Sequence, residues 1–61
     1  MTDDARGDEL TREIAMTREN IRNLVEEASS AHGEAEEQRL ADRIAEQEAR
    51  LADLLKRRDH V

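Results

Sequence analysis

Apolar and small residues recur along the first half of the chain at alternating spacings of four and three positions. The members of this first seam are Leu10, Ile14, Thr17, Ile21, Leu24, Ala28 and Ala31. Such a heptad repeat is typical of a helix that packs one stripe of side chains against a neighbouring helix. It predicts helix 1 over residues 8–31, preceded by an acidic tail at residues 1–7. Asp8 is the expected N-cap, and a start near Asp3 is the alternative.

A second seam with the same spacings runs through the other half of the chain. Its members are Leu40, Ile44, Gln47, Leu51, Leu54, Arg58 and Val61, and it is widened by Ala41 and Leu55. A wider stripe of this kind is typical of a helix in a bundle. It predicts helix 2 over residues 34–58, followed by a C-terminal tail at residues 59–61.

The two seams are out of phase, which indicates two helices rather than one. Continuing the first seam would place a core position at Asp42, whereas the second seam uses Leu40, two positions earlier. Insertions in a continuous coiled coil have three or four residues. The break coincides with two serines and Gly33, residue types that favour helix ends. We therefore place a turn at residues 32–33.

An antiparallel hairpin about this turn pairs positions whose numbers sum to 64 or 65. The matched pairs are Leu24 with Leu40, Ile21 with Ile44, Ile14 with Leu51, and Leu10 with Leu54 or Leu55. The polar positions Thr17 and Gln47 also match, which predicts one central polar layer. A buried polar layer can fix register and oligomeric state. The alternative is that both side chains lie at the edge of the seam and reach water.

The low stability expected of a single hairpin predicts that it associates with another copy. A domain of this size buries only about 60% of the surface that its unfolded chain exposes, and the absence of cysteine removes disulfides as a support. Each helix of a hairpin has one neighbouring helix, so part of each apolar stripe stays in contact with water. We therefore predict an all-α fold, an antiparallel two-helix hairpin of one domain that dimerises into a four-helix bundle.

In length, heptad seams and central turn, the chain is similar in architecture to the Rop-like helical hairpins, which dimerise into four-helix bundles. The resemblance covers architecture alone. No sequence motif of that family is matched residue by residue, so the resemblance implies no RNA-binding function.

Composition limits the class of protein. The chain is 43% charged and 36% hydrophobic and has no aromatic residue, a composition that disordered chains share, but the regular seams favour helices. No run of 18 apolar residues is present, and the acidic N-terminus is unlike a signal peptide. We expect a cytoplasmic protein that binds no membrane. Nine arginines against one lysine agree with GC-rich codons, and we expect a bacterial source.

The sequence contains no pattern that indicates catalysis or metal binding. Ser29 and Ser30 lie near His32 without an orienting acid, and turn chemistry accounts for the serines. The Glu-x-x-His pairs of metal-binding bundles are absent, since Ser29 and Arg57 stand three positions before the two histidines. We therefore expect neither an enzyme nor a cofactor.

Protein–protein interaction is the function that these patterns favour, with a second copy and another helical protein as candidate partners. Met16 and Val25 lie off the first seam and are the candidate partner surface. A net charge of −6 opposes nucleic-acid binding. The alternative function is a nucleic-acid-binding regulator whose basic stripe on helix 2 comprises Arg39, Arg43, Arg50, Lys56, Arg57 and Arg58.

Overall fold

The computed structural model describes the backbone of residues 2–60 and the side chains from Asp8 to His60. It contains two helices, α1 (Thr2–Ser29) and α2 (Glu34–Asp59). A single helix through all these residues would be about 90 Å long at about 1.5 Å per residue, whereas the molecule measures 50 × 14 × 11 Å. The two helices therefore lie side by side, and the prediction of an all-helical hairpin is confirmed.

The helix bounds differ from the sequence-based ones mainly at the N-terminus. α1 begins at Thr2 rather than Asp8, so residues 2–7, expected as a tail, are helical. One glycine inside a helix costs only about 1 kcal/mol of helix stability, and acidic residues near the start interact favourably with the helix dipole. Gly7 therefore does not stop the helix. α1 ends at Ser29 and α2 at Asp59. Val61, the last member of the second seam, lies outside the described residues.

Local hydrogen bonds end α1 at the two serines. The Ser29 hydroxyl donates to the backbone oxygen of Val25 at 3.0 Å, and the Ser30 N–H donates to the backbone oxygen of Glu27 at 3.1 Å. The second bond occupies a carbonyl group of the last turn that lacks an i+4 partner in the helix, and the first adds a side-chain donor to the Val25 carbonyl. The serines therefore complete the end of α1.

Gly33 starts α2. It is the N-cap residue, its carbonyl oxygen accepts the first α2 hydrogen bond from the Glu37 N–H at 3.1 Å, and no side chain caps this end. Its φ of 102° and ψ of 142° lie close to a region that only glycine adopts readily. A Cβ at this position would meet no atom within 4 Å, so backbone strain, and not space, selects glycine here.

The core lies along the contact between the helices. Its buried aliphatic residues are Leu10, Ile14, Leu24, Leu40 and Leu54. Leu10, Ile14 and Leu54 form one cluster, against which Leu51 and Leu55 pack. These residues bring the two ends of the chain together and follow the register in which facing numbers sum to 64 or 65. We call this part of the hairpin the open end, and the part that contains Gly33 the turn end.

Candidate interaction surface

Most of the predicted seam residues are buried or half-buried. Leu10, Ile14, Thr17, Leu24, Leu40 and Leu54 are buried, whereas Ile21, Ala28, Ala31, Ile44, Gln47, Leu51 and Leu55 are half-buried. Arg58, the charged member of the second seam, and Ala41, which was predicted to widen it, are exposed. One neighbouring helix therefore covers the stripe of each helix incompletely.

An ion pair between the helices identifies one face of the hairpin. Nη2 of Arg50 lies 3.3 Å from Oε1 of Glu13. At about 100° per residue, both residues lie roughly 60–80° to the same side of their seams. Asn20 and Arg43 lie on that side as well, and with Asn23, Leu24 and Gln47 they line a shallow concavity. We call this surface the ion-pair face.

The opposite face of the hairpin carries aliphatic residues beside both seams, together with one pair of charged residues. Positions on the other side of the two seams hold the half-buried Ile21, Ile44, Leu51 and Leu55, the exposed Val25, and two exposed alanines, Ala41 and Ala52. We call this set of residues the aliphatic face. Ile14 tilts to the same side but is buried, because Leu51 and Leu55 pack on its cluster. Arg18 and Glu48, which are opposite in charge, lie on this same side, each about 80° from its seam.

The exposed residues predicted as a partner surface do not form one patch. Met16 is 61% exposed and Val25 is 47% exposed. They are nine positions apart, and at about 100° per residue they point to roughly opposite sides of α1. Val25 belongs to the aliphatic face, whereas Met16 lies beyond the edge of the ion-pair face. The two residues therefore lie on different surfaces of the hairpin.

The polar layer is satisfied within one helix. Thr17 is 4% exposed, and its hydroxyl donates to the backbone oxygen of Glu13 at 2.8 Å. Among the described residues, no hydrogen bond joins Thr17 to Gln47. Gln47 is half-buried and lines the concavity on the ion-pair face. Thr17 thus needs no polar partner on α2, and Gln47 reaches the solvent-facing edge of the seam.

The arginines of α2 are partly neutralised by neighbouring carboxylates. Arg50 pairs with Glu13, and Nη2 of Arg57 lies 3.0 Å from Oδ2 of Asp53. Both pairs are largely exposed, and such pairs contribute about 0–1 kcal/mol each. Their effect on function is to reduce the positive charge that the stripe presents to a phosphate.

Among the side chains of residues 7–60, no group of three or more His, Asp or Glu residues is placed to hold a metal ion. The hydroxyl of Ser29 is held by the Val25 backbone oxygen, and that of Ser30 lies 3.3 Å from the Glu27 backbone oxygen. Both serines act at the helix end. The chemistry that this surface offers is apolar contact on one face and ion pairing on the other.

The two-faced character of the hairpin was not predicted from the sequence. The available signal was the type of residue on either side of each seam, charged or amide at Glu13, Asn20, Arg43 and Arg50, and apolar at Val25 and Leu55. In an antiparallel hairpin the corresponding flanks of the two seams lie on the same side, so this signal was sufficient to predict the two faces. The Glu13–Arg50 contact agrees with that arrangement.

No family model matches the chain, and no curated protein or solved structure matches it either. Neither described helix has a stretch that is long and apolar enough to cross a membrane. The functional proposal therefore rests on the geometry of the hairpin.

Proposed function

We propose that this chain is a small structural, adaptor or regulatory protein of the bacterial cytoplasm that acts through protein–protein interaction as a homodimer. In this homodimer, the hairpins of the two copies pack into a four-helix bundle. The observation that carries the proposal is the aliphatic face, on which four half-buried aliphatic residues adjoin the exposed Val25.

The physical argument is that a hairpin is only one layer. Stable domains consist of at least two packed layers that enclose a hydrophobic core. The half-buried Ile21, Ile44, Leu51 and Leu55 lie on one face, where a second layer would cover them together. Removing apolar surface from water contributes about 25 cal/mol per Å². A second copy supplies an identical face and closes the assembly by a two-fold axis.

Dimerisation through the aliphatic face leaves the ion-pair face directed outward. That surface carries Arg43 and Arg50, a shallow concavity and, beyond its edge, the exposed Met16. Methionine adapts to varied contact surfaces because it is unbranched and flexible. We propose that another helical protein binds on this outer side.

A matched pair of substitutions on α1 tests the dimer. Val25→Gln and Met16→Gln each replace an exposed apolar residue by the same uncharged polar one, on opposite sides of the helix. Val25 is 47% exposed in the hairpin, so the dimer buries about half of its surface in each copy, worth about 0.7 kcal/mol each, and its replacement should raise the dimer Kd about tenfold. Met16→Gln should leave the Kd unchanged.

Sedimentation equilibrium is the measurement, with interference optics because the chain has no tryptophan or tyrosine. Circular dichroism of the same samples shows whether each variant remains helical. A wild-type chain that is monomeric and helical at low micromolar concentration would contradict the proposal. Equal weakening by the two variants would show that the aliphatic face is not the contact.

The alternative function, a nucleic-acid-binding regulator, draws on a row of arginines along one side of α2. Arg39, Arg43, Arg50 and Arg57 lie within about 40° of one another around the helix axis at about 100° per residue. Two of them are paired with carboxylates, and the net charge is −6, so we favour the first function. Filter binding of duplex DNA and of single-stranded RNA at micromolar protein separates the two. Salt-dependent retention would support the alternative, because phosphate contacts release counterions.

A further inference from the structure

We infer that the two hairpins pack antiparallel, with the acidic turn end of one copy against the open end of the other. The inference rests on the proposed dimer and adds its topology. The observation behind it is the uneven distribution of charge along the 50 Å length of the molecule.

The turn end is acidic without compensation. Between positions 23 and 38 there are five acidic residues and no lysine or arginine. These residues are Glu26, Glu27, Glu34, Glu36 and Glu37, and all five are exposed. The open end is close to neutral, because the last turn of α2 is basic, with Lys56, Arg57 and Arg58. The hairpin is therefore electrically different at its two ends.

A two-fold axis between the aliphatic faces allows two arrangements. In the parallel one, both turn ends meet, and ten exposed carboxylates share one end of the bundle without a neighbouring cation. In the antiparallel one, each turn end lies beside the nearly neutral open end of the other copy, which includes the three basic residues at the end of α2. Opposed like charges across an interface cost up to several kcal/mol, and these groups lie within about one Debye length of each other in such a bundle. Charge thus selects the antiparallel arrangement.

The charges of α2 favour the antiparallel orientation, because this helix has an acidic first turn and a basic last turn. α1 has acidic residues near both of its ends and does not distinguish the two orientations in this way. Full overlap of two antiparallel α2 helices pairs positions whose numbers sum to 93, so Glu36 and Glu37 lie opposite Arg57 and Lys56, and Glu34 lies opposite Asp59 at the helix end. The same overlap places Ala41 of one copy opposite Ala52 of the other. Small side chains at both positions permit a close approach of the two helices at their flanks.

Pulsed dipolar electron paramagnetic resonance tests the topology. The chain has no cysteine, so single-cysteine variants accept one nitroxide label per copy. His32→Cys places the label at the exposed tip of the turn end, and Glu46→Cys places it at the exposed middle of α2. Antiparallel packing puts the His32→Cys labels about 40 Å apart, the length of α2 at about 1.5 Å per residue. Parallel packing puts them within about 20 Å, two interaxial distances.

The Glu46→Cys label is the matched control, because it lies near mid-length and gives about 30 Å or less in both arrangements. A short distance at position 46 with a long distance at position 32 is the expected result. Short distances at both positions overturn the antiparallel topology and leave the proposed dimer standing. Absence of dipolar coupling at position 46, with the helical circular dichroism intact, overturns the dimer itself.

Discussion

The two glycines of the chain allow a test in which one substitution has opposite effects at two sites. Gly33 is the N-cap of α2 with a φ of 102°, and Gly7 lies inside α1. A Cβ at either position meets no atom within 4 Å. Replacement by alanine therefore probes backbone conformation alone, without a steric contribution from neighbouring side chains.

The expected magnitudes follow from the backbone angles. At Gly33, alanine must occupy a positive-φ conformation that costs about 1–3 kcal/mol for a residue with a Cβ. At Gly7, alanine reduces the conformational entropy of the unfolded chain and should stabilise a helix by about 0.5–1 kcal/mol. In a domain of this size, 1 kcal/mol corresponds to a change in Tm of about 4–8 °C. Gly33→Ala should thus melt several degrees lower than wild type, and Gly7→Ala a few degrees higher.

Thermal and urea unfolding followed by circular dichroism at 222 nm gives both values, at one protein concentration because association adds to apparent stability. A Gly33→Ala variant as stable as wild type would refute the assignment of Gly33 to a glycine-specific conformation. A Gly7→Ala variant with unchanged stability would show that α1 does not extend through Gly7 to Thr2, and would favour the shorter helix that begins at Asp8.

Five further substitutions test the core, the ion pair and the polar layer. Leu54→Ala removes a side chain that is 2% exposed and should lower the free energy of unfolding by about 2–5 kcal/mol; urea denaturation measures the loss, and a loss below 1 kcal/mol would contradict the core assignment. A double-mutant cycle with Glu13→Gln and Arg50→Gln should give a coupling of about 0.2–1 kcal/mol that declines with added salt, and a salt-independent coupling would speak against a solvent-exposed pair. Thr17→Val should change stability by less than about 1 kcal/mol, because the lost hydroxyl bond lies within its own helix. Gln47→Leu should raise the Tm by extending the apolar stripe, and a lower Tm would indicate that the amide has a structural role.

The hairpin and its register could be predicted from the sequence, because heptad spacing indicates which side chains point toward the neighbouring helix. The buried Leu10, Ile14 and Leu54 form the cluster that the summed numbering anticipates. The start of α1 was harder to predict from the sequence. Gly7 resembles a boundary, yet its cost inside a helix is small enough for the surrounding helix-forming residues to outweigh it.

The two faces of the hairpin follow only when both seams are considered together. Where two antiparallel helices pack with their seams facing, the corresponding flanks of the two helices lie on the same side, and the contact between Glu13 and Arg50 agrees with that arrangement. Thr17 shows where sequence reasoning falls short, because a polar residue at a seam position predicts a partner across the interface, whereas its hydroxyl bonds within α1.

The cluster of Leu10, Ile14 and Leu54 lies at the end of the molecule where the chain begins and finishes. Chain termini usually unfold locally before the rest of a domain. Here the best-packed residues lie near both termini, and the middle of the hairpin holds the half-buried Ile21 and Ile44. Local opening should therefore begin between the two ends of the hairpin, and the amide hydrogens that exchange most slowly with solvent should be those around the cluster.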